Sequence, residues 1–248
     1  MNSLYILLII IGINMIIILI YSLPRKKNLR EPSLEDLDSP EVAAAFEKVT
    51  NLLPFKLLYR KVLSQLKLYN LKDSLLDVGC GSGNLIIQVA KKYPSLDLIG
   101  VDLSSEILEL AKKKAVENNL NDKIVFKIGS VENLPFPDKS VDFILSTLSL
   151  HHWKIPKQAF EEIFRVLKDG GVLLIFDFRR DARKFFYGLL KFATKVVVPK
   201  ALKKINEPSG SLKAGYVFSE ISQIISQTSF SNVDIKPYLA WMFIKLEK

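Results

Sequence analysis

The sequence predicts an α/β protein with a doubly wound, mostly parallel sheet. Two observations predict it. Short apolar runs alternate with amphipathic helical patterns from residue 75 onward, and the first run leads through a glycine-rich turn into a helix. The connections are short, which is typical of parallel strands joined by helices. We expect strands at 75–78, 96–102, 124–128, 141–146, 172–177, 233–235 and 241–246. We expect helices from the glycine turn to 93, and at 105–118, 156–167 and 219–228.

The glycine-rich turn is the centre of the predicted site. Asp77 ends the first apolar run, and Gly79, Gly81 and Gly83 follow at every second position before the helix. Glycine permits backbone conformations that a Cβ forbids and lets a ligand approach the main chain. The N-terminus of the following helix offers unbonded N–H groups to an anionic ligand. The dinucleotide fingerprint G-x-G-x-x-G would place its third glycine at Asn84, so the spacing here differs from it.

A second acidic residue, Asp102, ends the second predicted strand, 25 residues after Asp77. In nucleotide-binding folds an acid about 20 residues beyond the glycine turn binds ribose hydroxyls. The alternative is that Asp102 caps the helix that follows, although Ser104 or Ser105 could also do so. The glycine turn upstream favours ribose binding.

Composition limits the possible classes. The 248 residues allow one substantial domain with an appendage, and the net charge of +9 favours anionic partners. The single cysteine, Cys80, excludes an internal disulfide. The only two histidines, His151 and His152, are adjacent, which argues against a zinc site, and we expect no metal.

The N-terminal region contains an apolar run over residues 4–23 without a charged side chain. Because a membrane span needs about 20 such residues, we predict an uncleaved, single-pass transmembrane anchor. A cleavable signal peptide is the alternative, but it requires a basic segment before the run and small residues after it. The basic residues Arg25, Lys26, Lys27 and Arg30 follow the run and predict a cytoplasmic catalytic domain. The predicted divisions are an anchor at 1–24, a basic polar linker at 25–39 and a catalytic domain at 40–248.

Two helices are expected between the linker and the first strand. Ser39-Pro40 combines a capping hydroxyl with proline at the first helical position, which predicts a helix from 40 to about 53. A second helix is expected from 54 to 68. These helices either cover a ligand cleft or simply pack against the sheet.

The order and spacing of the motifs resemble the class I S-adenosylmethionine (AdoMet)-dependent methyltransferases, most of all the quinone, lipid and other small-molecule enzymes. The resemblance rests on the turn DVGCGSG, the loop LPFPDKSVDFILSTLSLHHW and the segment FRVLKDGGVLLIFDF, and it covers residues 73–178. It implies a Rossmann-like sheet of seven strands with the last strand antiparallel. By position, it implies cofactor contacts from Asp77, Gly79, Cys80, Gly81 and Gly83 at the methionine end, Asp102 at the ribose, Leu103 at the adenine face, and Ser130 and Val131 at the adenine edge.

One position departs from this family. Its members often have an aspartate where this chain has Ser130, and that acid accepts a hydrogen bond from the adenine amino group. The Ser130 hydroxyl still accepts, but without the strength that an ionised acceptor gives. Glu132 is a possible substitute acid.

The histidines are the candidate general bases. His151 and His152 follow the fourth strand, at the edge of the sheet where ligands bind in such folds. An imidazole there could deprotonate a hydroxyl near neutral pH, with His151 slightly favoured. The alternative is a structural pair that orders the loop. Cys80 lies within the glycine turn and is expected to be a small packing residue rather than a nucleophile.

The basic charge is concentrated in an amphipathic insertion at 179–215, of which the stretch 205–215 is expected to be a loop. Residues 179–204 contain nine Lys or Arg and one acid, Asp181. Interleaved apolar residues recur at helical spacing: Phe185, Phe186, Leu189, Leu190, Ala193, Val196 and Val197. A basic amphipathic segment over 182–204 suits anionic lipid. The alternatives are a helix packed on the domain with solvated lysines, or an RNA-binding face.

These observations predict a membrane-anchored AdoMet-dependent methyltransferase that acts on a small apolar or lipid-like acceptor. A non-catalytic scaffold of the same fold is the main alternative. An RNA methyltransferase is a weaker one, because the chain lacks the Asn/Asp-Pro-Pro-aromatic segment of adenine N-methyltransferases and the second cysteine of cytosine C5 methylation.

Overall fold

The computed structural model describes residues 3–22, 25, 28–31, 33 and 38–248. Of the predicted basic flank, Lys26 and Lys27 lie outside the described residues. The helices are α1 (Ser3–Ser22), α2 (Pro40–Thr50), α3 (Leu53–Leu66), α4 (Asn84–Lys92), α5 (Ser105–Glu117), α6 (Pro156–Val166), α7 (Lys184–Val196), α8 (Lys200–Lys204), α9 (Ser209–Ala214) and α10 (Phe218–Ile225). The strands are β1 (Ser74–Val78), β2 (Asp97–Asp102), β3 (Ile124–Ile128), β4 (Val141–Thr147), β5 (Leu167–Phe178), β6 (Asn232–Pro237) and β7 (Trp241–Glu247).

The seven strands form one sheet in the order β3-β2-β1-β4-β5-β7-β6. Strands β1 to β5 pair in parallel, and β7 runs antiparallel to both β5 and β6. This confirms the predicted α/β fold with an antiparallel last strand. The strand order reverses between β1 and β4, and ligands of open α/β sheets bind in the crevice at such a point.

Both faces of the sheet are covered, which explains why its central strands read as continuous apolar runs. On one face, Leu76, Val101 and Ile175 pack with side chains of α6 and α10. On the other face, Leu75 and Phe176 pack with side chains of α3 and α4. Because alternate residues of a strand point to opposite faces, the central strands contribute side chains to the hydrophobic clusters on both faces.

The structure corrects the membrane predictions. Within the described part of the chain, no helix reaches the length and apolar character required to cross a membrane. The predicted transmembrane helix is therefore not supported, and the prediction of a single-pass membrane protein with a cytoplasmic domain is wrong by this criterion.

Two local predictions also fail. The Ser39 side chain makes no capping hydrogen bond within the described residues, and proline at the first position of α2 marks the helix start without it. The stretch 205–215, predicted as a loop, contains helix α9. Leu212 and Ala214 of α9 are buried, so tertiary packing compensates for a sequence of low helix propensity.

The predicted apolar stripe of the basic insertion divides between two sides of α7. Phe186 and Leu190 pack against a small cluster around Ala182 and Leu212. Leu189, Val196 and Val197 of the stripe, and Phe192, which was not part of it, are more than half exposed. Two residues of the stripe therefore pack on the domain, and three lie on the surface.

Candidate active site

The glycine turn adopts the backbone that its composition requires. Gly79, Gly81 and Gly83 have φ values of +71°, +54° and +75°, in the left-handed region that other residues rarely enter. A Cβ on Gly79 would lie 2.5 Å from the Cβ of Ser149 and closer still to its hydroxyl. The turn is thus in close contact with the residues that follow β4, and only glycine fits at position 79.

Hydrogen bonds fix the turn to the neighbouring strand. The backbone N–H groups of Gly79 and Cys80 donate to the Val101 carbonyl at 2.8 and 3.0 Å. The Gly81 N–H donates to the Asp102 carboxylate at 2.8 Å. Gly83 precedes α4 and has no side chain with which to cap it, so first-turn N–H groups of α4 are available to an anionic ligand group.

Asp102 lies over the turn and is not the cap of α5. Ser104 caps that helix, because its hydroxyl accepts from the Ile107 N–H at 3.2 Å. The second Asp102 oxygen accepts from the Ser104 N–H at 3.2 Å. Of the two sequence alternatives, the geometry therefore assigns the capping to Ser104 and leaves Asp102 partly exposed at the edge of the crevice.

Cys80 is a buried packing residue. Its sulfur lies against Gly100, where an added Cβ would approach to 2.9 Å. Burial, together with the charge of Asp102, raises the pKa of the Cys80 thiol well above its ordinary value. A thiol that stays protonated is a poor nucleophile.

Asp77 is a buried carboxyl group beneath the turn, 2% exposed. Its Oδ1 atom has no hydrogen-bond partner among the described residues. Burial and the nearby Asp102 charge raise the pKa of Asp77 to about 7. A carboxyl group with an unmet oxygen in an otherwise packed site is suited to a cationic ligand group.

Replacing Asp77 should change how stability depends on pH. Because the folded pKa lies above the unfolded value of about 3.9, Asp77 costs stability progressively as pH rises from 4 to 7. We expect ligand-free Asp77→Asn to gain thermal stability relative to wild type across that range and to level off above it. The difference is at most about 4 kcal/mol. Thermal unfolding at a series of pH values measures it, with exposed Asp97→Asn as the control. A difference that does not vary with pH would contradict this account.

The predicted adenine side contains one exposed and one buried apolar residue. Leu103 is 63% exposed beside Asp102, whereas Val131 is part of the main core. Ser130 donates to the Glu132 carboxylate. Glu132 also accepts from the backbone N–H groups of Lys154 and Ile155, at 3.0 and 3.4 Å. The Glu132 side chain therefore joins this loop to the start of α6.

A buried acid–imidazole pair lies at the same edge of the sheet. His151, in a 3-10 turn over Leu150–His152 after β4, places Nδ1 2.7 Å from Oδ1 of Asp177. The His151 backbone N–H donates to the other Asp177 oxygen at 3.2 Å. Both side chains are at most 2% exposed, and the His152 ring lies 4.0 Å from that of His151. Sequence reasoning identified the histidines but missed Asp177, although it ends the predicted fifth strand.

Helix α2 covers the glycine turn. A Cβ on Gly81 would lie 3.5 Å from the Phe46 ring, so this side chain closes the space above the turn. Polar contacts hold α2 in place, because Glu47 pairs with Lys114 at 2.6 Å and Thr50 accepts from Asn84 at 3.0 Å. Sequence reasoning placed helices over a ligand cleft as one of two possibilities, but gave no role to Phe46.

A glycine turn after the first strand, an acid after the second and a strand-order switch between the first and fourth strands define an AdoMet-binding methyltransferase fold. A family model described as a methyltransferase domain matches residues 76–175. The ubiquinone/menaquinone biosynthesis C-methyltransferase UbiE of Rickettsia bellii (strain OSU 85-389) is 32% identical over 166 residues, which are 65% of this chain and 66% of that protein. The UbiE of Rickettsia felis is 30% identical over 196 residues, 76% and 77% of the two chains. The chain belongs to the class I AdoMet-dependent methyltransferases.

Solved structures share this fold. A SAM-dependent methyltransferase from Aquifex aeolicus aligns with a TM-score of 0.62 at 20% identity, covering 84% of this chain and 98% of that one. The phosphoethanolamine N-methyltransferase 2 of Haemonchus contortus, in complex with AdoMet, aligns with a TM-score of 0.65 at 16% identity, covering 86% and 58%. AdoMet is the cofactor of this enzyme.

The residues present fit that cofactor. The unmet oxygen of Asp77 is suited to the ammonium group of its methionine part, and the α4 N-terminus to the carboxylate. Asp102 is placed to accept hydrogen bonds from ribose hydroxyls. These assignments, and those of Leu103, Ser130 and Val131 to the adenine, stay predictions.

Proposed function

We propose that this enzyme methylates a small, apolar, quinone-like acceptor at a ring position activated by a neighbouring hydroxyl. The observation that carries the proposal is the His151–Asp177 pair, buried at the carboxyl edge of the sheet beside the glycine turn. The similarity to the UbiE proteins, which are quinone C-methyltransferases by name, supports an acceptor of this class.

The pair would act on the acceptor hydroxyl. AdoMet, when bound, supplies an electrophilic methyl group. Because Nδ1 of His151 is bonded to Asp177, the proposed base is the other ring nitrogen, Nε2. Nε2 would take the hydroxyl proton, while the electron pair stays on the acceptor oxygen. Asp177 fixes the orientation of the ring and stabilises the imidazolium that forms. The charge left on oxygen raises the nucleophilicity of the adjacent ring carbon, which would take the methyl group as the methyl–sulfur bond breaks. That carbon would then lose its own hydrogen to solvent as a proton, so that the ring regains its aromaticity.

Product analysis with the full-length protein tests this proposal. Methyl-labelled AdoMet is supplied with 2-prenyl-1,4-naphthoquinol, with its ring-methylated counterpart, with phosphoethanolamine or with RNA. We expect label on a ring carbon of the first probe alone, and a rate of labelling about 10²- to 10⁴-fold lower in His151→Gln. Transfer to RNA or phosphoethanolamine and not to the quinol would overturn the proposed acceptor.

We also propose that an apolar acceptor reaches the enzyme from a lipid surface that contacts the outward side of α7. Leu189, Phe192 and Val196 are more than half exposed there, and Lys191 and Lys195 flank them. Exposed apolar side chains rimmed by cations are typical of helices that lie on anionic lipid. This is a peripheral contact of one helix, independent of any membrane span.

Vesicle binding tests the contact. We expect the double variant Leu189→Ser/Phe192→Ser to bind phosphatidylserine-containing vesicles at least about tenfold more weakly, because each buried apolar side chain contributes about 1.5–3 kcal/mol. The control is Val125→Ser, an equally exposed apolar residue of β3. Equal binding of the double variant and the control would show that α7 is not the contact.

A further inference from the structure

A segment that precedes the predicted catalytic domain lies directly behind the His151 backbone. The Arg30 guanidinium donates to the His151 carbonyl at 2.9 Å and to the Ala214 carbonyl at 2.7 Å. Its flat face lies on the Tyr216 ring, with the central carbon 4.2 Å from the ring centroid. Arg30 thus links the 3-10 turn of the histidines, the end of α9 and the residues after it.

Other contacts hold this segment across α9. The Asn28 carbonyl accepts from Arg180 at 2.9 Å, and Glu31 pairs with Lys213 at 2.8 Å. The Ser33 hydroxyl donates to the buried Glu207 at 2.8 Å. The described residues 28–31 and 33 are therefore bound along the domain surface, which keeps Arg30 in place.

The chemistry of the Arg30 site requires a guanidinium. Two N–H donors in one plane reach two carbonyls while the flat face stacks on an aromatic ring, a geometry that a lysine ammonium cannot reproduce. Charge-assisted hydrogen bonds are about twice as strong as neutral ones. The His151 main chain is thereby fixed by Arg30, and its imidazole by Asp177.

We propose that Arg30 is a positioning residue for methyl transfer, which holds the main chain of His151 so that its imidazole meets the acceptor hydroxyl. The proposal rests on the proposed role of His151 as the base. It assigns a part in the reaction to the segment ahead of α2, and it predicts that Arg30 affects turnover and not AdoMet affinity.

Hydrogen exchange of the full-length protein tests the contact without any acceptor. We expect the His151 and His152 amides to exchange at least about tenfold faster in Arg30→Ala and, to a lesser extent, in Arg30→Lys. Lys213→Ala, which breaks only the more exposed pair with Glu31, is the matched control and should not change them. If Arg30→Ala fails to fold, Arg30→Lys carries the test. Unchanged exchange in the variants would overturn the proposal.

Turnover with 2-prenyl-1,4-naphthoquinol tests the role in the reaction. We expect Arg30→Ala to lower kcat about 10- to 100-fold with the AdoMet Kd within twofold of wild type. If Arg30 acts through His151, Arg30→Ala should lower kcat less than twofold when it is introduced into the His151→Gln variant. An equal loss in both backgrounds would indicate a general structural role and refute the positioning. Absence of turnover in wild type would contradict the proposed acceptor. The hydrogen-exchange measurement would still test the contact between Arg30 and His151.

Discussion

Gly79→Ala is expected to weaken AdoMet binding at least about 100-fold. The added Cβ would lie 2.5 Å from the Ser149 Cβ, and the φ of +71° is unfavourable for alanine. Strain of this kind costs about 1–3 kcal/mol, and the overlap costs a similar amount. About 1.4 kcal/mol corresponds to a tenfold change in affinity. Even part of the combined strain and overlap energy would therefore weaken AdoMet binding measurably. Calorimetric titration with AdoMet measures the effect.

Two further variants separate overlap from backbone strain. Gly170 lies near the start of β5, at the opposite edge of the sheet, and has a φ of +77°. No atom of the described residues lies within 4 Å of a Cβ added there. Gly170→Ala should therefore leave AdoMet binding unchanged. Ser149→Gly removes the atoms that Gly79→Ala would meet, and the double variant should regain part of the affinity. If Gly79→Ala binds AdoMet like wild type, the turn does not hold the cofactor as described.

Asp177→Asn is expected to lower kcat about 10²- to 10⁴-fold, the range that general acid–base catalysis contributes. The carboxylate accepts from His151 Nδ1 at 2.7 Å, from the His151 N–H at 3.2 Å and from the Phe178 N–H at 2.6 Å. An asparagine has one acceptor oxygen, so at least one of these donors loses its partner. The amide also carries no charge to stabilise an imidazolium.

The measurement combines turnover of the naphthoquinol probe with AdoMet titration and thermal unfolding. AdoMet affinity should stay within about twofold, since the proposed role of Asp177 is on the acceptor side. A buried donor left unsatisfied costs about 1–3 kcal/mol, so some loss of thermal stability is also expected. Asp169→Asn, the same change at an exposed ion pair with Lys139, is the control. Turnover within threefold of wild type would exclude His151–Asp177 as the proton-transfer pair.

Much of the backbone geometry around the glycine turn could be predicted from the sequence because it depends on local chain properties. The glycines of the turn need positive φ, and the acid at the end of β2 is fixed by strand register. The capping of α5 by Ser104 was left open, since two serines and Asp102 lie within one turn of chain. Only the hydrogen bonds of the fold decide among them.

The membrane location was a prediction that the structure did not support. A continuous apolar run is a sequence-level signal, but within the described residues no helix meets the requirements of a span. The amphipathic stripe of the insertion was also incomplete as a prediction. Helical spacing places Phe186 and Leu189 on one stripe, yet only the first packs on the domain, because α7 contacts α9 along one edge.

The sequence by itself determined the alternation of strands and helices, the glycine turn, Asp102 and the position of the histidines, because each is encoded within a few neighbouring residues. The tertiary structure decided which distant residues complete the site. Asp177 meets His151 across 26 residues, and Arg30 meets it across 121. Neither separation follows any local period. Only the pairing of β4 with β5 and the docking of the segment before α2 bring these three residues together.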